Sequence, residues 1–119
     1  MPRILAVDDS AISRQIYSSV ITPHCEVEIA EDAEQAWQKI SNSHFDLVIS
    51  DVNLPGISGL ELLKKIKTNK LYSDTPIIII SGDGDGITHA KDVGADLWLL
   101  KPVNPESLVC AVKKVLKCD

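Results

Sequence analysis

Five side chains able to do chemistry share one kind of position. Asp8 and Asp9 follow the apolar run Ile4-Leu5-Ala6-Val7, and Asp51 comes just after Leu47-Val48-Ile49. Ser81 follows Ile77-Ile78-Ile79-Ile80, and Lys101 follows Leu97-Trp98-Leu99-Leu100. If those runs are parallel strands of one sheet, the five groups meet at one edge of it, where open α/β sheets bind ligands. Three carboxylates in one crevice repel, so a proton or a cation must intervene. Oxygen donors without His or Cys select a hard ion, here Mg²⁺ or Mn²⁺. A divalent cation, an ammonium and a hydroxyl around one carboxylate make a phosphoryl-transfer site. The cation and Lys101 offset charge on the equatorial oxygens, Ser81 donates a hydrogen bond, and Asp51 attacks phosphorus.

Each member has an ordinary explanation when taken singly. Asp8-Asp9-Ser10 can open a helix, because acids favour helix N-termini. Asp51 can cap a turn, Ser81-Gly82 can be a plain strand exit, and a lysine before proline is usually solvated. Four such accidents at one sheet edge are harder to accept than one site.

The elements that must position these groups are legible from periodicity. Four of the five runs are continuously apolar, as strands covered on both faces are. The other, Val27-Glu28-Ile29-Ala30, alternates with charge and suits an edge. It alone brings no reactive group to the crevice, which places it outermost. Between the runs lie five helical patterns. Ile12, Ile16 and Val20 form one inward stripe that ends before Pro23. Ala33, Ala36, Trp37 and Ile40 form another, with Asp32 as N-cap. Ser58-Gly59-Leu60-Glu61 has the capping-box pattern, and Leu60, Leu63 and Ile66 or Lys67 continue its face. Ala90 and Val93 precede Gly94, a helix-ending glycine. Asn104-Pro105 opens a last helix with Leu108, Val112, Val115 and Leu116 inward. Strict alternation predicts an α/β fold: a doubly wound (βα)5 arrangement with a five-stranded parallel sheet of order 2-1-3-4-5. Gly82-Asp83-Gly84-Asp85-Gly86 reads as a flexible loop that delays the fourth helix. Lys64-Lys65-Ile66-Lys67 reads as a solvated face.

Composition narrows the function. The chain has 119 residues, the length of one domain, and 45% are hydrophobic. Twelve basic against seventeen acidic residues give a net charge of −5, a poor basis for holding a phosphate backbone. Cys25, Cys110 and Cys118 lack C-x-x-C spacing and read as reduced thiols of a cytoplasmic protein. No apolar stretch is long enough to cross a membrane. His24, His44 and His89 are scattered and read as surface residues.

The whole chain resembles the response-regulator receiver domain, the CheY-like, flavodoxin-like fold. The resemblance rests on Val7-Asp8-Asp9-Ser10, Asp51-Val52-Asn53-Leu54-Pro55-Gly56 with Gly59, Ser81-Gly82, Gly94-Ala95-Asp96 and Lys101-Pro102. It implies one receiver domain over residues 1–119 for two-component signal transduction. Asp51 would take a phosphoryl group from a sensor histidine kinase or a phosphotransfer protein. Asp9 and Asp51 would bind Mg²⁺ through side chains and Asn53 through its carbonyl, with Asp8 acting mainly through a water. Ser81 stands at the switch hydroxyl, Trp98 at the switch aromatic, and Lys101 at the conserved-type lysine, followed by a cis bond to Pro102. The output would be the face of the fourth helix, fifth strand and fifth helix, read by a downstream protein rather than by nucleic acid. Gly82 stands where the family often has Ala, and Trp98 lacks the hydroxyl of the family's Tyr. The chain stops soon after its fifth helix, as a stand-alone regulator would, or a piece of a longer protein.

Two other functions compete. A small metal-dependent phosphatase with an aspartyl nucleophile would want a general acid two residues on, where Asn53 stands. A flavodoxin-like cofactor binder would want a phosphate cradle in the first turn, where Asp8-Asp9 repel phosphate.

Overall fold

The structure is a computed structural model and describes residues 2–21, 25–54 and 56–116. Ten elements alternate: β1 Arg3–Val7, α1 Ala11–Ile21, β2 Glu26–Ala30, α2 Ala33–Asn42, β3 Leu47–Asp51, α3 Gly59–Thr68, β4 Ile77–Ser81, α4 Gly84–Val93, β5 Leu97–Leu100 and α5 Pro105–Leu116. Every ladder is parallel and the strand order is β2-β1-β3-β4-β5, as the alternation requires. Pro23, His24, Pro55 and Cys118 lie outside the described residues.

Successive residues of the central strands serve opposite faces, so the sheet carries two cores. Leu5, Val7, Val48, Ile77 and Ile79 pack under α2, α3 and α4 through Ala33, Ala36, Ile40, Leu62, Leu63, Ile66 and Ala90. Ile4, Ala6, Leu47, Ile49, Ile78 and Ile80 pack under α1 and α5 through Tyr17, Ile21, Leu108, Ala111 and Val112. The caps follow the sequence. Asp32 Oδ1 accepts from Gln35 N at 2.8 Å, Ser58 Oγ from Glu61 N at 3.2 Å, and Asn104 Oδ1 from Glu106 N at 2.8 Å. Gly94 ends α4 at φ 114°.

Five expectations are corrected. In α1 the inward residues are Tyr17 and Ile21, while Ile12 is 74% exposed and Ile16 also faces out. Two stripes one residue apart were available, and the sheet took the one carrying the Tyr17 ring. In α3 the buried positions are Leu62, Leu63 and Ile66, with Leu60 half-buried. β5 is half-buried and Leu100 exposed, because it is an edge strand paired only with β4. Lys67 is not part of a solvated face: its ammonium donates to Thr75 O and Asp96 Oδ2, both at 3.0 Å, tying α3 to the start of β5. α4 is not delayed. Asp83 caps it, Oδ1 accepting from Gly86 N at 2.7 Å, and the helix starts at Gly84.

Candidate phosphoryl-transfer site

The register of the central strands levels the reactive groups. Val7 lies opposite Ser50 and Asp51 opposite Ile80, so Asp8 follows β1 at the height where β3 ends in Asp51. Ser81 closes β4 opposite Leu100, and Lys101 follows, its N–H donating to Ser81 O at 2.8 Å. Asp8, Asp51 and Ser81 are buried; Asp9 is exposed. One carboxylate oxygen from each of Asp8, Asp9 and Asp51 falls within 4.8 Å of the others. This oxygen-only set fits a hard divalent cation: its donors converge, and their mutual repulsion is what such an ion relieves.

Asp51 is held from two sides. Lys101 Nζ donates to Oδ2 at 2.6 Å, and the Asn53 N–H donates to Oδ1 at 3.2 Å. Asp51 is 2% exposed and the Lys101 side chain 35%, so the ammonium enters from the rim. Burial alone would lower the lysine's pKa. The hydrogen bond and charge of Asp51, then the charges of Asp8 and Asp9, outweigh it and hold the group above its usual value. The lysine's contribution to stability is therefore present through neutral pH and is lost as pH rises through that elevated pKa. The Lys101-Pro102 peptide is cis.

Ser81 is engaged by the start of α4. Its hydroxyl donates to Asp83 O at 2.9 Å and accepts from Asp83 N–H at 3.1 Å, so it is bonded to the residue that caps α4. Gly86 explains why this helix begins early. A Cβ there would lie 2.5 Å from Ser81 Oγ, so a residue without one lets the first turn close over the serine. Trp98, half-buried on β5, has the Lys91 ammonium 4.4 Å from its ring centre.

Two participants went unread in the sequence. The Tyr17 hydroxyl donates to Asp8 Oδ2 at 2.9 Å, and Arg14 donates to the Asp8 carbonyl at 3.0 Å. Burial, followed by the charge of Asp8, pushes the Tyr17 hydroxyl far above the ordinary phenol range, so it acts as a donor. The available signal was a tyrosine on an inward helix face, since a buried phenol needs a partner. Beside these groups a hollow of about 430 Å³ is lined by Ser13, Ile16, Tyr17, Gly82, Lys101 and Pro102. A larger hollow, about 530 Å³, opens at the other end of the sheet around Phe45, Tyr72 and Pro76, away from the carboxylates.

The family model described as "Response regulator receiver domain" matches residues 4–113. A chemotaxis protein CheY homolog of Campylobacter jejuni is 34% identical over 119 residues, covering 96% of this chain and 92% of its own. The phosphate regulon transcriptional regulatory protein PhoB of Pseudomonas aeruginosa is 37% identical, covering 96% of this chain and 51% of its own. Among solved structures, the chemotaxis response regulator CheY4 of Vibrio cholerae superposes with a TM-score of 0.91 at 38% identity, covering 97% of this chain and 98% of its own.

Proposed function

Because the chain belongs to the response regulator receiver domain family, we propose that residues 1–119 form one phosphoacceptor switch with Asp51 as its acceptor. One observation carries this: Lys101 Nζ sits 2.6 Å from Asp51 Oδ2, while three carboxylates from two strand ends converge beside it. Asp9 and Asp51 would hold Mg²⁺, or Mn²⁺, through side chains and Asn53 through its carbonyl, with Asp8 acting mainly through a water. The ion supplies positive charge to the oxygens of the incoming phosphoryl group. Asp51 attacks in line with the donor's leaving group; its O–P bond forms as the P–N bond of a phosphohistidine breaks. Lys101 passes from Asp51 Oδ2 to a phosphoryl oxygen. Ser81 turns from Asp83 toward another, releasing the cap of α4. That release, relayed to Trp98 and the surface of α4, β5 and α5, is the switch that a downstream protein reads.

The protein is not a turnover enzyme in this account, because Asn53 cannot serve as general acid where a phosphatase needs one. The phosphodonor is a sensor histidine kinase or a phosphotransfer protein. Three cysteines without C-x-x-C spacing and the acidic balance support a cytoplasmic protein that does not touch nucleic acid. Among the described residues no helix is long and apolar enough to cross a membrane.

Mass spectrometry of the intact protein tests the function. Incubation with Mg²⁺ and acetyl phosphate is expected to add one phosphoryl group, with no steady turnover of p-nitrophenyl phosphate. Continuous release of p-nitrophenol from p-nitrophenyl phosphate would favour the phosphatase.

The outward side of α1 carries a second expectation. Ile12 lies one turn beyond Asp8-Asp9, and with Ile16 it leaves apolar surface exposed at the rim of the crevice. Such surface beside a site of macromolecular phosphotransfer fits a docking contact. Ile12→Glu is expected to slow transfer from a phosphorylated protein donor by tenfold or so, roughly the cost of losing a 1.4 kcal/mol contact. Uptake from acetyl phosphate should be unchanged. Equal slowing with both donors would rule docking out.

A further inference from the structure

We propose that Tyr17 is a positioning residue of the carboxylate cluster: its buried hydroxyl fixes the Asp8 carboxylate for a divalent cation. The inference rests on the metal site proposed above and adds a residue to it.

Asp8 has no exposure to solvent, so protein groups must orient it. Its two oxygens are held separately. Oδ1 accepts from Ser10 N–H at 2.9 Å and Oδ2 from the Tyr17 hydroxyl at 2.9 Å. Two donors, one on each oxygen, fix the plane of the carboxylate, whereas one would leave it free to turn. Tyr17 is suited to hold that plane. Its ring is 2% exposed, packed in the α1–α5 core with Ile21 and Leu108, so the hydroxyl cannot drift. Each oxygen keeps acceptor capacity, and one of them lies within 4.8 Å of a carboxylate oxygen of Asp9 and of one of Asp51. Whether Asp8 meets the ion directly or through a water, hydrogen bonds that orient the carboxylates around a metal are commonly worth ten- to a hundredfold in affinity. A merely satisfied core hydroxyl would have no such effect.

The test is Mg²⁺ affinity, measured by titration calorimetry on the whole protein. Tyr17→Phe, which keeps the ring, is expected to weaken Mg²⁺ binding about tenfold while near-ultraviolet circular dichroism stays native. In an Asp8→Asn background the same change is expected to cost nothing further, because its effect passes through Asp8. Unchanged affinity in Tyr17→Phe, or an equal loss in both backgrounds, overturns the proposal. A second measurement needs no change at Tyr17. In Tyr72→Phe the only remaining tyrosine is Tyr17, and its hydrogen-bond signature in ultraviolet resonance Raman is expected to change when Mg²⁺ is added. A signature indifferent to Mg²⁺ overturns the role. If the unaltered protein fails to bind Mg²⁺, the metal site itself fails; if it binds and Tyr17→Phe binds equally, only Tyr17 does.

Discussion

Asp51→Asn is expected to lower phosphoryl uptake from acetyl phosphate by on the order of 10³-fold or more, as removal of a nucleophile does elsewhere. Asp51 is the one carboxylate that meets both the Lys101 ammonium, at 2.6 Å, and a backbone donor at the end of β3, the Asn53 N–H. Asp8 is turned toward Tyr17 and Ser10, and Asp9 is exposed at the rim. Neither is placed to replace it. Asparagine keeps the shape but offers no anionic oxygen to phosphorus. It removes one of three mutually repelling charges but also the charge pair with Lys101; these effects oppose, so in the absence of Mg²⁺ the midpoint of thermal unfolding should move little. Intact-protein mass over a time course reads the first expectation and thermal denaturation the second. Uptake that survives the substitution would move the acceptor elsewhere.

Gly59→Ala is expected to destabilise the fold by about 3 kcal/mol, beyond the usual cost of a surface methyl. Gly59 begins α3 directly against the main chain that carries the acceptor. A Cβ there would lie 2.0 Å from Asp51 O and 2.9 Å from Val52 Cα. Both obstacles are backbone, so no side chain can turn away to make room. The Gly59 N–H also donates to Val52 O at 2.8 Å, which pins the close approach. Relief requires α3 to back off, loosening Leu62, Leu63 and Ile66 in the core or bending the end of β3. For a domain of this size the midpoint of thermal unfolding should fall by roughly 10 °C. Circular dichroism during heating measures it, and a midpoint within a degree or two of the original would show that the approach is not needed.

The sequence made the site legible for a physical reason. A charge costs free energy at the end of a buried strand, so Asp8, Asp51 and Lys101 each needed an explanation beyond folding. Strand order followed from the same argument, since Val27-Glu28-Ile29-Ala30 alone carried no such group to the crevice. Helix faces were less legible. In α1 the isoleucines at positions 12 and 16 and the stripe through Tyr17 and Ile21 have equal claims by period, and only tertiary packing chooses between them. That choice hid the Tyr17–Asp8 bond. The start of α4 was misread because glycine is a poor helix former, whereas contact over Ser81 requires the absence of a side chain at Gly86. Lys67 was misread because a run of lysines on a helix does not reveal that one of them turns inward to Thr75 and Asp96.

Chemical mapping of the phosphorylated residue tests whether Asp51 is the acceptor. After incubation with acetyl phosphate, borohydride reduction converts an aspartyl phosphate to homoserine, which peptide mass spectrometry locates. Homoserine is expected at position 51 alone, formed with Mg²⁺ and absent when the ion is chelated. Conversion at position 8 or 9, or an equal yield at position 51 without a divalent cation, would contradict it.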